Sequence, residues 1–529
     1  MWWILACVTE VADTGGAADD TASMSSGYEA AFDAVRDKAQ QDLSRSTYAT
    51  GVQVAIYKDG EVIFEEGFGS KHPTAGGTVS ADTLFQVGSD TKKMAAILLL
   101  REVEAGRVSL DDTLGDLLDG LAFASDPGAL EAITVHQLLS HSSGIYDYTP
   151  WVHDPEDAEL EGRAYGRFAD DGFTMMPSGI AWDYSNPNFS LTGLVTESLT
   201  GEPWGDTLER DLFGPLGMTR SFARQSSAED DGDYATGTGI LLPEGYDSFS
   251  AIDLLTGESF VWEEGTVAMA DQLDCAFTRP AGLVWSTAGD MARLAGFLME
   301  GDDEVLGAEL LGAMTSQQVP LYPNLEEQGY GYGLMVLTGF QKGQKWYPTP
   351  MWLHGGNTMA MTSAFYVVPE QGVAVTILSN GYGDDFSSTA LKAIVELADL
   401  PEAEGMPTLL EAEDDPGAVA GTWWSKGVGT LEVAWDGDDH TVEAPDLAAA
   451  GFEVTDLRAL YDDLYYLTSE GGTFDLAYYE QDGAEYLVNR QFVFTRGTGA
   501  ALEAPPTWLR AMPERPSLPS SARALIGPR

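Results

Sequence analysis

Two hairpin signals stand at opposite ends of a long, mostly helical stretch, and a chain that carries both has few ways to fold. The first is GVQVAIYKDGEVIFEEGFG at 51–69, where two runs rich in β-branched and aromatic residues flank Asp59-Gly60. That dipeptide suits the positive φ angles of a tight hairpin turn. The second is TSAFYVV (362–368) and VAVTILS (373–379), joined by Pro369-Glu370-Gln371-Gly372. A lone hairpin is marginal in water. The strands from both ends are therefore expected to share one antiparallel sheet, with the helical middle inserted between them. Helices are read at 28–48, at 89–105 before Gly106, and at 387–399. Met94 to Leu100 is apolar on every side, so the second helix should be buried all round. Between 110 and 300, short helices alternate with Gly/Pro loops. Thr134 with Gln137 opens one by a capping-box pattern that Gly144 should close, and Thr287 with Asp290 opens another.

Beyond an acidic, Pro-containing stretch at 401–417 the pattern changes to strands alone: TLEVAWD, HTVEAP, LYYLTS, FDLAYYE, EYLVNR and QFVFTR. Turn signals at Gly471-Gly472 and Asp482-Gly483 separate three of them, as in a small barrel or sandwich. The fold class is thus α+β: an antiparallel sheet flanked by helices, with an inserted helical region, followed by a small all-β domain. The division expected is a signal or tether segment at 1–27, a main domain at 28–400, a linker at 401–417, a β domain at 418–500 and a Pro/Ala/Arg-rich tail at 501–529.

Charge narrows the partners. Asp and Glu number 84 against 27 Lys and Arg, a net charge of −57. Nucleic acids and anionic membranes are bound by basic patches, so neither is an expected partner. Two cysteines, Cys7 and Cys275, make no disulfide framework. No Cys/His cluster has metal spacing and no cofactor motif occurs, so neither a metal nor a cofactor is expected. The start, MWWILAC, is short and apolar and is followed by a small, polar, acidic run. It resembles a bacterial lipoprotein signal, which implies a lipid anchor through Cys7 and a place in the cell envelope.

Three stretches could carry chemistry. Ser89-Asp90-Thr91-Lys92 is an S-x-x-K at a helix start. Residues three apart share a helix face, so the Lys92 amine can lie beside the Ser89 hydroxyl, and a serine needs such a neighbour to become a nucleophile. Alone the motif reads equally well as an N-cap with a long lysine above it. Tyr184-Ser185-Asn186 sits where a Gly/Pro-rich loop enters a helix, and His354-Gly355-Gly356-Asn357 stands just before the 362–368 strand. A second Tyr-x-Asn, Tyr322-Pro323-Asn324, reads as a turn. His136 and His141 read as satisfied structural histidines, and Cys275 as a buried thiol. Gly329-Tyr330-Gly331-Tyr332-Gly333 reads as a strand approaching the site, while Trp182, Trp285 and Trp352 suit a pocket and a core equally.

With these three motifs in this order, and with ITVHQLLSHSSGIYDY, GPLGM, RPAGLVWSTAGDMARLAGF and VPEQGVAVTILSN between and after them, the chain resembles the serine β-lactamase-related hydrolases. That family includes class C β-lactamases, D-alanyl-D-alanine carboxypeptidases, D-aminopeptidases and esterases, and the resemblance covers roughly residues 30–400. It implies the β-lactamase/transpeptidase-like fold. It implies Ser89 as the acyl-accepting nucleophile, Lys92 in its hydrogen-bond network, Tyr184 as general base, and Asn186 bonding Lys92 and the substrate amide. The oxyanion hole would be the backbone N–H groups of Ser89 and Asn357, with Gly355 and Gly356 letting substrate approach the strand. The β domain resembles the lipocalin-like extensions of some members.

The third motif departs from the β-lactamases and carboxypeptidases, where it begins with Lys rather than His354. A lysine stays charged at physiological pH, whereas an ordinary histidine is mostly neutral there. The expectation is therefore a small-molecule or peptide substrate, with ester, amide or D-amino-acid peptide hydrolysis ahead of β-lactamase or D-alanyl-D-alanine carboxypeptidase activity. The reading from another class is a non-catalytic envelope binding protein.

Overall fold

In the computed structural model, which describes residues 27–124, 126, 128–147, 153–241, 263–269, 272–323, 327–343, 345–405, 416–426, 428–449, 453–461, 463–469, 472–489 and 492–499, Asp59 and Gly60 take positive φ angles of 48° and 99°. They join β1 (Gly51–Lys58) to β2 (Glu61–Gly69), after a first helix α1 (Glu29–Arg45). Then come α2 (Thr91–Glu104), α3 (Asn186–Thr200) and α4 (Ala288–Glu300). The remaining strands of the main sheet are β3 (Val319–Pro320), β4 (Gln328–Tyr330), β5 (Met335–Leu337), β6 (Met351–Asn357), β7 (Thr362–Val368) and β8 (Val373–Ser379), followed by α5 (Ser387–Leu397).

The sheet order is β2-β1-β8-β7-β6-β5-β4-β3, antiparallel throughout. The two hairpins thus meet at the β1/β8 pair, in register from Val52 with Ser379 to Lys58 with Val373. Alternate side chains of β1 face opposite layers. Val52, Val54 and Ile56 pack with Ala31, Val35 and Ala39 of α1 and Ala390 and Ile394 of α5. Ala55 and Tyr57 join the larger core that holds α4 and α2. Both faces are covered, which is why β7 and β8 are apolar almost without alternation. Met94 to Leu100 of α2 are buried without exception. Fully burying one such leucine stabilises by about 1.5–3 kcal/mol, so this helix anchors whatever its first turn presents.

The helix capped by Thr134 forms with its capping box but ends at Leu139, well before Gly144. His141 takes a left-handed φ of 57°, with its N–H directed to Leu138 O and the Ser142 N–H to Gln137 O. That is a Schellman closure with histidine where glycine is usual. Thr287 caps α4 by accepting from Asp290 N at 3.2 Å.

The C-terminal segment forms a second eight-stranded antiparallel sheet: β9 (Gly421–Ser425), β10 (Gly429–Trp435), β11 (His440–Glu443), β12 (Val454–Tyr461), β13 (Leu464–Ser469), β14 (Gly472–Gln481), β15 (Ala484–Asn489) and β16 (Phe492–Arg496). The order is β11-β10-β9-β16-β15-β14-β13-β12, and the two end strands approach each other, so the sheet curls into a barrel-like form around Trp423, Leu431, Leu467, Leu476, Leu487 and Phe494. Two of these strands, β9 and β12, were not read from the sequence. HTVEAP gives a strand only to Glu443 before a helical turn at Pro445–Ala449. Cys7, the proposed tether, most of the linker and the 501–529 tail lie outside the described residues. No helix among the described residues is long and apolar enough to cross a membrane.

Candidate active site

The Ser89 hydroxyl stands in a 3-10 turn, Gly88–Asp90, that opens α2. The i, i+3 spacing delivers Lys92 as the helix requires: its Nζ lies 3.1 Å from Ser89 Oγ, 2.7 Å from Asn186 Oδ1 and 2.8 Å from Ala281 O. Lys92 is wholly buried, so these partners replace water. Asn186 Oδ1 and Ala281 O can only accept. Two amine protons therefore point away from Ser89, and the third position on Nζ faces the serine oxygen. That position can donate as an ammonium or accept as a free amine.

From the other side the Tyr184 hydroxyl lies 2.7 Å from Ser89 Oγ. Tyr184 and Ser185 precede α3, and Asn186 is its first residue, so the helix start fixes both motif residues at once. The Tyr184 ring packs against His141, with centroids 4.4 Å apart, and the Lys92 Nζ is 4.8 Å from its centre. His141 Nδ1 accepts from Ser185 N at 3.2 Å and lies 3.0 Å from Asn188 Nδ2. His141 is thus a structural histidine, but one that braces the loop carrying Tyr184. His136 pairs with Tyr332 at 2.8 Å, and burial lowers its pKa.

Asp147 was not singled out in the sequence. Its Oδ1 accepts from Asn186 N at 2.8 Å and from Asn186 Nδ2 at 3.2 Å. A carboxylate has no proton to give, so it holds the amide with Nδ2 toward itself and Oδ1 toward Lys92. The only hint in the sequence was its place at the end of the GIYDY stretch.

The third motif lies on β6, paired with β7 as His354 with Phe365, Gly355 with Ala364, Gly356 with Ser363 and Asn357 with Thr362. Its other neighbour, β5, reaches only as far as Leu353, so the motif has a strand partner on one side alone. A Cβ on Gly356 would come 2.0 Å from Val87 O and 2.7 Å from Ser89 N. One on Gly88, whose φ is 54°, would come 2.5 Å from Asn357 N. Only glycines allow this contact, and it sets the backbone at Ser89 close against the backbone at Asn357.

His354 is buried. Its Nδ1 lies 2.6 Å from Gly355 O and its Nε2 3.2 Å from Tyr330 OH. The carbonyl can only accept, so Nδ1 holds the proton, and in the neutral ring Nε2 accepts from Tyr330. Trp182, Tyr184, Leu321, Tyr322, Tyr330 and Met335 form one apolar cluster, which Leu464 and Ala477 of the C-terminal sheet complete. The second sheet therefore packs against the wall that holds Tyr184. Tyr322, set aside as a turn residue, belongs to that wall, while Asn324 lies outside the described residues. Trp285 is core and Trp352 half-buried, whereas Cys275 is a buried free thiol whose pKa burial pushes up.

A family model described as Beta-lactamase matches residues 35–399. Penicillin-binding protein 4 of Amycolatopsis lactamdurans is 29% identical over 353 residues, covering 64% of this chain and 83% of its own. Esterase EstB of Burkholderia gladioli is 28% identical over 212 residues, covering 38% of this chain and 51% of its own. Among solved structures, D-amino acid amidase from Ochrobactrum anthropi SV3 superposes with a TM-score of 0.53 at 20% identity, over 70% of this chain and 98% of that one. That likeness is one of fold.

Proposed function

The chain belongs to the beta-lactamase family and is a serine hydrolase of that kind, and from that premise we propose that it hydrolyses neutral esters and D-amino-acid amides or peptides through an ester formed on Ser89. The observation that carries this reading is the double approach to Ser89 Oγ, by Tyr184 OH at 2.7 Å and Lys92 Nζ at 3.1 Å. With Lys92 as an ammonium and Tyr184 as a phenolate, the serine proton passes to the tyrosine oxygen as Oγ attacks the substrate carbonyl carbon. A positive Lys92 stabilises the charged tyrosine before the transfer. The carbonyl oxygen, now negative, takes hydrogen bonds from the N–H groups of Ser89 and Asn357. The proton on Tyr184 then goes to the leaving alcohol oxygen or amine nitrogen as its bond to carbon breaks. Water repeats the sequence on the ester: it gives its proton to Tyr184, and Ser89 leaves with that proton restored. Asn186, whose Nδ2 is held by Asp147, keeps Lys92 in place through Oδ1.

The substrate class proposed is supported by His354, which stands where the resemblance would put a lysine. Both ring nitrogens of His354 are engaged inside the protein, by Gly355 O and Tyr330 OH, rather than presenting the long ammonium of a lysine to a carboxylate. The names of the relatives support acyl groups of this kind: an esterase and, by fold, a D-amino acid amidase. The reading second to this is penicillin recognition, favoured by the likeness to a penicillin-binding protein over most of that protein's length. The envelope location belongs to the same proposal and is supported by the likeness to a penicillin-binding protein. Incubation with a fluorophosphonate probe and mass mapping tests the site: the label is expected on Ser89, and a label elsewhere, or none, overturns the reading.

A further inference from the structure

Directly behind the nucleophile lies a charge pair that the mechanism above does not use. Asp90 and Lys93 are both fully buried, and the Lys93 ammonium contacts the Asp90 carboxylate. Lys93 Nζ is also 3.2 Å from Asp90 O and stands 4.2 Å from the ring centre of Phe365 on β7. The second carboxylate oxygen of Asp90 is hydrogen-bonded to Ser363 Oγ, which lies 2.7 Å from Val87 O as well. Ser363 is the ladder partner of Gly356, the residue whose backbone presses on Ser89 N. One network therefore links the turn before the nucleophile (Val87), the residue after it (Asp90) and the sheet that carries Asn357.

Taking two charges out of water is costly, and a well-packed apolar pair of similar size commonly stabilises a core as well or better. Stability alone gives no reason for a salt bridge here. Direction does: an ion pair with a hydroxyl attached accepts one geometry, whereas leucine and methionine slide. The two N–H groups that meet the oxyanion come from different elements, one from the turn and one from β6. Their relative placement is the quantity such a network can set.

We propose that Asp90, Lys93 and Ser363 are positioning residues that hold the Ser89 turn against β7 and so fix the spacing of the Ser89 and Asn357 N–H groups. The inference rests on the serine-hydrolase reading of the site. Removing one charge leaves the other buried and alone, so Asp90→Leu and Lys93→Met are each expected to lower the melting temperature. The informative protein is the pair Asp90→Leu/Lys93→Met, which strands no charge. Its melting temperature should return toward that of the parent, while kcat for a neutral p-nitrophenyl ester stays down on the order of tenfold or more, as small misplacements at a reacting centre cost. KM should stay within about twofold, since the loss falls on the transition state rather than on binding. The rate of labelling by a fluorophosphonate, whose adduct places a negative oxygen in the same hole, should fall in parallel. Ser363→Ala keeps the ion pair, cuts its tie to β7, and decides the matter if the double variant does not fold: kcat should drop with little change in melting. Parental kcat and labelling in Ser363→Ala, or in a double variant that has regained its stability, overturns the proposal. Ser89→Ala is measured beside them. If that variant keeps parental turnover, the hydrolase reading has failed; if it is inactive, a parental Ser363→Ala removes the positioning network alone.

Discussion

Asp147 binds Asn186 twice through one oxygen, accepting its backbone N–H at 2.8 Å and its side-chain amide at 3.2 Å. The consequence is felt one bond further on, at Lys92, whose Nζ meets the Asn186 oxygen at 2.7 Å because the amide cannot turn over. Asp147→Ala frees the amide. A misplacement of about 1 Å at a reacting centre can cost on the order of 10²-fold, so kcat should fall by roughly ten- to a hundredfold. KM should change less, and thermal unfolding should shift little beyond the loss of these half-buried hydrogen bonds. Equal kcat in variant and parent would remove Asp147 from the site.

Ser89→Ala should abolish turnover of p-nitrophenyl acetate. The serine hydroxyl is partly exposed at the head of α2, whose stability comes from the apolar run Met94 to Leu100. The melting curve should therefore stay near that of the parent. Undiminished turnover in this variant sinks the nucleophile assignment.

Tyr184→Phe keeps the ring against His141 and Trp182 but deletes the hydroxyl 2.7 Å from Ser89 Oγ. A positioned base contributes about 10²–10⁴-fold, and a loss of that size in kcat is expected. Lys92→Ala should lose as much. The double variant should be little worse than either single, because groups that move one proton together are not additive. A double-mutant cycle measures this directly, and additive losses would argue against a shared proton path.

Substrate charge is the fourth expectation. Both ring nitrogens of His354 are bonded inside the protein, to Gly355 O and Tyr330 OH. At pH 8 a neutral acyl-D-amino-acid ester should therefore show a higher kcat/KM than the matched substrate bearing a free carboxylate. Efficient cleavage of a cephalosporin or of a D-alanyl-D-alanine peptide at that pH would reverse the ranking of the two readings.

Glu197, on α3, offers a test of the fold's pH response away from the reaction. Burial raises its pKa to about 7, helped by the negative charges of Asp157 and Glu161 and opposed by the Trp204 N–H and Arg224. An unfolded glutamate titrates near about 4.3. Between these values the folded protein holds a proton that the unfolded chain has lost, so stability falls as pH rises from about 4.3 to 7 and then levels. Glu197→Gln keeps an oxygen for the Trp204 N–H, now 2.7 Å away. The difference in melting temperature between variant and parent should grow in favour of the variant from pH 5 to 7.5. A constant difference across that range would contradict the raised pKa.

Features carried by local spacing were legible in the chain itself. The Asp59-Gly60 turn, the strands at 362–368 and 373–379, the caps at Thr134 and Thr287 and the buried run of α2 each depend on residues within a few positions of one another. So does the Ser89–Lys92 contact, since three residues on a helix always share a face. What only the tertiary structure decided depends on partners far away in sequence. β9 and β12 exist because neighbouring strands complete their hydrogen bonds, while β12 itself carries Asp456 and Arg458 and alternates poorly. The helix after Thr134 stops at Leu139, and His141, in a left-handed conformation just beyond it, packs on the Tyr184 ring far away in sequence. Asp147, Ala281 O and the Asp90–Lys93–Ser363 network are ordinary residues on paper. Their roles arise when α2, α3 and β7 converge, because a hydrogen bond is settled by distance and direction in space, and neither is written in the spacing of the chain.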